Sequence, residues 1–342
     1  CKSWGDDYEA LFSKVSQIFA RSESRGKAKA YLRGLMSDVK RKNGWQVSAF
    51  LGMEGPIGIQ RLLNEDKWDE AELMRQTRKL LVEAAQPSEL GMIGVIDESG
   101  FIKKGERSAG VQRQYCGRIG KVENCQVGVF LGLVSEAIEG FLDRRLYLPK
   151  SWCEDETRCE QARIPKEARD FKSKPELALE MLEAAWAEGL ELNWITGDTV
   201  YGNAPGFREG LAEQGQTYVL ALSMNHKLDY QGQSLRIDQL AKELKPEAFS
   251  LTTERLSEQG MIKEDWALLK VNFAEKEQLL IFRKSKRGTE AYLSNAAEST
   301  AAAELINVIL ARHSIERLFK EAKSELGLAD YEVRFFHAWL RH

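Results

Sequence analysis

Histidine is scarce: it occurs four times in 342 residues. That excludes a histidine-rich metal site but leaves open a site built from carboxylate oxygens. Cysteine is sparse and unpaired, with residues at 1, 116, 125, 153 and 159 and no CxxC spacing. The odd count argues against a disulfide framework or a structural zinc site and fits reduced thiols in a cytoplasm. Apolar runs long enough to span a bilayer are missing, as is a signal-peptide pattern. An excess of positive charge is missing too, since 49 Lys and Arg face 52 Asp and Glu for a net charge of -3. Contact with nucleic acid must then rest on local basic patches, not on a global field. Internal repeats and low-complexity segments are also absent. The first residue is Cys1 and not Met, so a preceding N-terminal piece is expected. What is present, 43% hydrophobic and 30% charged residues, fits a globular chain with a substantial core and more than one domain.

Residues 7 to about 85 carry apolar side chains at helical spacing, which predicts a helical N-terminal domain over residues 1–86. Asp66 or Asp69 suits a helix cap, and Gly44 suits a helix end. The run Lys40, Arg41, Lys42 can meet phosphates, or can equally be a solvated turn. A break at Gln86-Pro87-Ser88 marks a boundary. Beyond it, MIGVIDESGFIKKG begins with a short buried strand ending at Asp97. GVQRQYCGRIG, NCQVGVFLGLVSEA and RRLYLP give three more strands. The charged stretch Lys150 to Asp170 is expected to be an exposed loop. PELALEMLEAAWAEGL is a helix with Pro175 in its first turn and Gly189 closing it. ELNWITGDTVYG repeats the pattern of apolar strand then aspartate, at Asp198. A helix (FREGLAEQ) and a strand (TYVLALS) follow. This element order predicts an α/β chain with a ribonuclease H-like core beginning at residues 87–224. Residues 225–290 read as a β-rich insertion with a basic exit at Arg283, Lys284, Lys286 and Arg287. Residues 291–342 return to the core with one long helix ending at Gly327, then a tail.

The helix RHSIERLFKEAK organises this reading. Arg312, Glu316 and Lys323 fall at spacings of four and seven, along one face. Ile315, Leu318 and Ala322 form an adjacent apolar stripe. A solvated helix explains these charges as well, and Asp97 or Asp198 alone could merely cap a turn. Brought together, three carboxylates make a place for magnesium. Strand alternation directs Glu98 to the face opposite Asp97, and Glu321 lies off the Arg312–Glu316–Lys323 face. Trp266 suits stacking on a flipped base or burial in a core. Tyr115 and Cys116 read as packing residues near the site.

With the carboxylates placed, the chain resembles a DDE transposase of a bacterial insertion sequence. The likeness is to the insertion-sequence family numbered 701, within the group bearing a Tyr-Arg-Glu-Lys signature, Y-x2-R-x3-E-x6-K. Arg312, Glu316 and Lys323 match in type and spacing. Ile309 stands at the tyrosine position, and His313 stands where a tryptophan often precedes the glutamate motif. RKNGWQ, IDESGFIKKG, RQYCGRIGKVENCQVGV, ITGDTVYG, EDWA and IERLFKEAKSELGLADYEVR also match, so the resemblance spans nearly the whole chain. It implies two magnesium or manganese ions, with Asp97 bridging them and Asp198 and Glu316 holding one each. It implies that Arg312 and Lys323 grip phosphates near the cleaved end. Lys40, Arg41, Lys42, Trp266, Arg283 and Lys284 are further expected DNA contacts. The implied activity is cleavage at terminal inverted repeats of double-stranded DNA and strand transfer into target DNA, by a homodimer in a synaptic complex, at a bacterial nucleoid. Such proteins usually continue past the equivalent of His342, so a C-terminal truncation is expected. An inactive DNA-binding derivative and a nuclease without strand transfer are the alternatives.

Overall fold

The computed structural model describes residues 2–85, 90–257 and 260–342. Cys1 and the expected boundary at Gln86-Pro87-Ser88 lie outside them. Five helices come first: α1 (Lys2–Val15), α2 (Ser22–Leu35), α3 (Gly44–Phe50), α4 (Ile57–Asn64) and α5 (Glu70–Ala84). Gly44 opens a helix instead of ending one, because the Asn43 side chain accepts from the Gln46 amide and caps α3. Asp69 caps α5 by accepting from the Ala71 and Glu72 amides. Asp66 is not a cap; it accepts from Ser24 Oγ at 2.9 Å and Lys27 Nζ at 3.3 Å.

The strands β1 (Ile93–Ile102), β2 (Gln112–Cys116), β3 (Lys121–Val134) and β4 (Glu139–Tyr147) follow. β1 runs antiparallel to β3 along its whole length, from Ile93↔Val134 to Ile102↔Cys125. The Lys150–Asp170 stretch is not the loop expected. It forms α6 (Lys150–Cys153) and α7 (Glu156–Gln161). Trp152, Cys159 and Ile164 are buried and anchor it, and Trp152 Nε1 donates to the Val111 carbonyl at 2.8 Å. A few apolar side chains outweigh the many charges, which point outward. Next come α8 (Lys174–Ala187), held at its start by a reciprocal Ser173–Glu176 cap, and β5 (Trp194–Gly197). After α9 (Thr199–Gly202) and α10 (Pro205–Glu213), β6 (Tyr218–Leu222) runs parallel to β5.

The remaining strands extend the same sheet. They are β7 (Lys227–Tyr230), β8 (Gln233–Arg236), then, after α11 (Ile237–Glu243), β9 (Leu251–Ser257), β10 (Gly260–Phe273), β11 (Lys276–Ser285) and β12 (Gly288–Ser294). β12 pairs antiparallel with β6. Among the described residues this makes one mixed sheet ordered β2-β3-β1-β5-β6-β12-β11-β10-β7-β8, with β4 beside β3 and β9 beside β10. The architecture is thus mixed α/β with one large mixed sheet.

The single C-terminal helix expected from sequence is divided. α12 (Ala302–Ala311) and α13 (His313–Ser324) meet at Arg312. There the backbone tightens to three-residue bonds, Arg312 N to Ile309 O and Ile315 N to Arg312 O, both 3.3 Å. Leu305, Val308, Ile309 and Ile315 bury one side of the pair. The tail ends in α14 (Phe336–Arg341) and docks on the first helices. One apolar cluster joins Ile59, Leu62 and Trp68 of the helical segment to Phe101 and Phe130 of the sheet and Trp339 of the tail. Among the described residues no helix is long and apolar enough to cross a membrane.

Arg341 fastens this junction. It pairs with Glu70 at 3.0 Å, donates to the carbonyls of Asp66 and Trp68 at 2.9 Å each, and lies 4.9 Å from the Trp68 ring centroid. Arg341→Ala removes all of these and leaves two carbonyls short of donors. The expected loss is about 2–4 kcal/mol, read as a lower urea midpoint with an unchanged slope.

Candidate active site

The site begins where two parallel strands part. β1 pairs with β5 only from Ile93↔Trp194 to Ile96↔Gly197. Asp97, midway along β1, and Asp198, just past the end of β5, are the next residues after this parallel pairing ends, where open α/β sheets place their ligands. Asp198 is held as the cap of α9, accepting from the Val200 amide at 2.8 Å. Asp97 Oδ1 accepts from the Glu98 amide at 2.8 Å.

Asp97, Glu98 and Asp198 each present an oxygen within 4.8 Å of the other two. Glu98 is therefore part of the cluster, although its partners lie on the α8 side of the sheet, the face that alternation gives it. Past Ile96 the strand has lost its β5 neighbour, and carboxylates from both faces approach one another at that gap. Two partners hold it there: Lys174 Nζ donates to Oε1 at 2.6 Å and the Tyr201 hydroxyl to Oε2 at 3.1 Å.

Crowding sets the electrostatics. Burial, then the charges of Asp198 and Glu98, push the Asp97 carboxyl up from 3.8 to about 7, and the Glu98 amide and Arg312 only partly offset this. Asp198 is raised by burial and by Glu98, against the Val200 amide, Arg312 and Lys174. Hard oxygen donors this close, one of them costly to ionise, fit a divalent cation.

Glu316 lines the same cleft, which has a volume of about 830 Å³ and also exposes Lys174, Lys323 and Tyr115. Its carboxylate stands outside the cluster of three. It lies 3.8 Å from both Arg312 Nη2 and His313 Nδ1. His313 first and Arg312 second pull its pKa below the ordinary value, against burial. Lys323 reaches from α13 to β1, donating to Ser99 Oγ at 2.6 Å and the Gly100 carbonyl at 3.1 Å. Ile309, at the signature's tyrosine position, is buried in the core.

Three of the expected DNA contacts are internal. Trp266 is fully buried, its Nε1 donating to Thr253 Oγ1 at 2.9 Å, so it is a core residue and not a stacking surface. Arg283 is buried against Glu264. Lys42 is buried and its ammonium caps the carbonyls of Ser37 at 2.6 Å and Val39 at 2.9 Å. Lys40, Arg41 and Lys284 are exposed, with Arg41 facing Glu332 at 3.2 Å. Tyr115, expected to pack, is instead 62% exposed on the cleft wall, while its neighbour Cys116 is buried. Sequence reasoning missed Lys174, Tyr201 and the cluster role of Glu98. Lys174 was findable only as the residue after the Ser173 cap, and nothing local linked it to Glu98.

The raised Asp97 pKa carries a stability consequence. A carboxyl that is harder to ionise folded than unfolded favours the fold at low pH and loses that contribution as pH rises through its folded value. Asp97→Asn should therefore stabilise the metal-free protein, with a gap that grows from about pH 4 to about pH 7. Above pH 7 it should reach on the order of 4 kcal/mol. Thermal melts of both proteins with chelator across this range measure it.

A family model described as DDE superfamily endonuclease matches residues 14–244. That span holds Asp97 and Asp198, and Glu316 lies beyond it. A probable transposase for insertion sequence element IS701 from Microchaete diplosiphon is 26% identical over 229 residues, covering 65% of this chain and 53% of that protein. The chain thus spans about half the length of this curated relative. Its match to the family model over more than half its length, with two clustered aspartates inside that span, makes this chain a member of the DDE superfamily endonuclease family.

Proposed function

We propose that the chain is a DNA transposase that cleaves the ends of an insertion sequence and joins the freed 3′-hydroxyl to target DNA. The observation that carries this is the convergence of Asp97 of β1, Asp198 just past β5 and Glu316 of α13 on a single cleft with Lys323 in its wall. The strand order β4-β3-β1-β5-β6, with α13 against β1 and β4, supports a ribonuclease H-like core. The helices before it and the strands from β7 to β12 are then an N-terminal DNA-binding segment and an insertion.

In this reading Asp97, Asp198 and Glu316 hold two magnesium or manganese ions. When bound, such ions supply an activated water and a stabilised leaving 3′-oxygen. Arg312 acts as counter-charge to all three carboxylates, as its effect on each of their pKa values supports. Glu98, tied to Lys174 and Tyr201, keeps the floor of the cleft polar and shaped. Lys323 and Arg312 meet phosphates near the scissile bond, and exposed Lys40, Arg41 and Lys284 extend the track along the duplex. Two copies pair the two ends of the element at the bacterial nucleoid, a reading supported by the transposase relative and by the need to join both ends.

Asp97→Ala should reduce metal-dependent cleavage of a labelled end duplex to background while end binding stays within about twofold. The duplex comes from DNA flanking the coding region. Cleavage that survives the change contradicts this site. A plasmid integration assay with the parent chain should yield joined products; nicks and breaks without joints would identify a nuclease instead.

A further inference from the structure

Glu316 is the most loosely held of the cleft's carboxylates. Its side chain is 57% exposed, and both Arg312 and His313 approach it only to 3.8 Å. His313 has a second neighbour. Its Nε2 lies 3.5 Å from Nη1 of Arg283. A guanidinium can only donate, so Nε2 is the acceptor and Nδ1 carries the proton. That proton faces Glu316 Oε2. One neutral tautomer thus serves both neighbours. The separations are longer than tight hydrogen bonds, as catalytic contacts often are before substrate arrives.

Arg283 is itself fixed from behind. Its Nε donates to Glu264 Oε1 at 3.0 Å, and Nη2 donates to the same oxygen. Nη1 also reaches Glu290 Oε2 at 3.3 Å and the Tyr292 hydroxyl at 3.5 Å. Arg255 adds a contact to Glu264 Oε1 at 3.5 Å. Glu264 is 1% exposed, and its other oxygen has no hydrogen-bond partner among the described residues. A buried ion pair adds little stability over an apolar pair, so a network like this is better explained by geometry. Every member from Arg255 to Tyr292 lies on β9 to β12, and among the described residues its side-chain hydrogen bond outside those strands goes to His313. The charge of Arg287, in the turn after β11, also acts on Glu316.

We propose that Arg283 and His313 are positioning residues: a strut from β10 and β11 that sets the Glu316 carboxylate toward a divalent cation shared with Asp97 and Asp198. This rests on the reading of Glu316 as a metal ligand given above. It assigns the strands that interrupt the core a part in assembling the site. It also explains why histidine at position 313 serves this chain, since histidine, unlike tryptophan, both accepts from Arg283 and donates to Glu316.

The test is calorimetric titration of the full chain with manganese, comparing the parent with Glu316→Ala, His313→Leu, His313→Asn and Arg283→Lys. Partners of this kind change metal affinity about 10–100-fold. Glu316→Ala should weaken manganese binding at least about tenfold, and His313→Leu about tenfold. His313→Asn keeps a donor near the Nδ1 position and should stay within about threefold of the parent. Arg283→Lys keeps charge but loses the fork, and should fall between the two histidine variants. Melting temperatures identify any variant that fails to fold, and His313→Leu, at a half-buried position, decides if Arg283→Lys does not fold. If His313→Leu binds manganese like the parent while Glu316→Ala is weakened, the strut is wrong and the metal site stands. If Glu316→Ala binds like the parent, the assignment of Glu316 itself falls.

Discussion

Repulsion among carboxylates is the constraint on which the rest of this structure turns. Asp97, Glu98 and Asp198 are packed within 4.8 Å of one another at the point where β1 and β5 separate. A folded chain tolerates this only if positive groups or cations are at hand. The chain supplies some of these itself. Lys174, at the start of α8, neutralises Glu98, and Arg312 acts on Asp97, Asp198 and Glu316 together. The division of the C-terminal helix falls at Arg312, whose guanidinium lies 3.8 Å from Glu316 and whose charge also acts on Asp97 and Asp198. The residual cost shows in Asp97, which the protein holds at about 7. Such a site is built to be completed by something cationic.

The surrounding architecture keeps that arrangement rigid. The sheet runs unbroken from β1 and β5 through β6 into β12, β11 and β10, so the later strands are continuous with the cleft's strands and not a detached lobe. The tail closes the other side. Trp339 Nε1 donates to the Tyr331 hydroxyl, which donates to Gln126 on β3, both at 2.9 Å. Lys42 and Asp330 join the first helices to the segment after α13. Asp330 itself lines the cleft, so one hydrogen bond, from the Lys42 amide to its carboxylate, joins the first helices to a cleft residue.

How much of this was legible follows from where each signal resides. Asp97 and Asp198 were readable because an apolar run followed by an acid is a local pattern. The length of β1 beyond Asp97 was not, since it depends on pairing with β3, whose partner residues are about thirty positions away. Alternation puts Glu98 on the α8 face, where its partners lie, but gives no sign that carboxylates of the two faces approach one another where β1 has lost its β5 neighbour. Lys42, Arg283 and Trp266 were misjudged for a different reason. Their charge or aromaticity was visible, but their burial depends on distant partners, such as Glu264 for Arg283. In Lys150–Asp170 the charged residues outnumber the few apolar ones that anchor it, so composition points to a loop where Trp152, Cys159 and Ile164 make a packed segment. The break at Arg312 has no Gly or Pro to announce it.

The central claim is that Asp97, Asp198 and Glu316 share two divalent cations in one cleft. The most direct measurement is anomalous diffraction at the manganese edge from crystals of the chain bound to end DNA. The account predicts two peaks about 3.5–4 Å apart, with Asp97 touching both and Asp198 and Glu316 touching one each. Peaks elsewhere, or a single peak held by Asp97, Glu98 and Asp198 with Glu316 touching no metal, would contradict it.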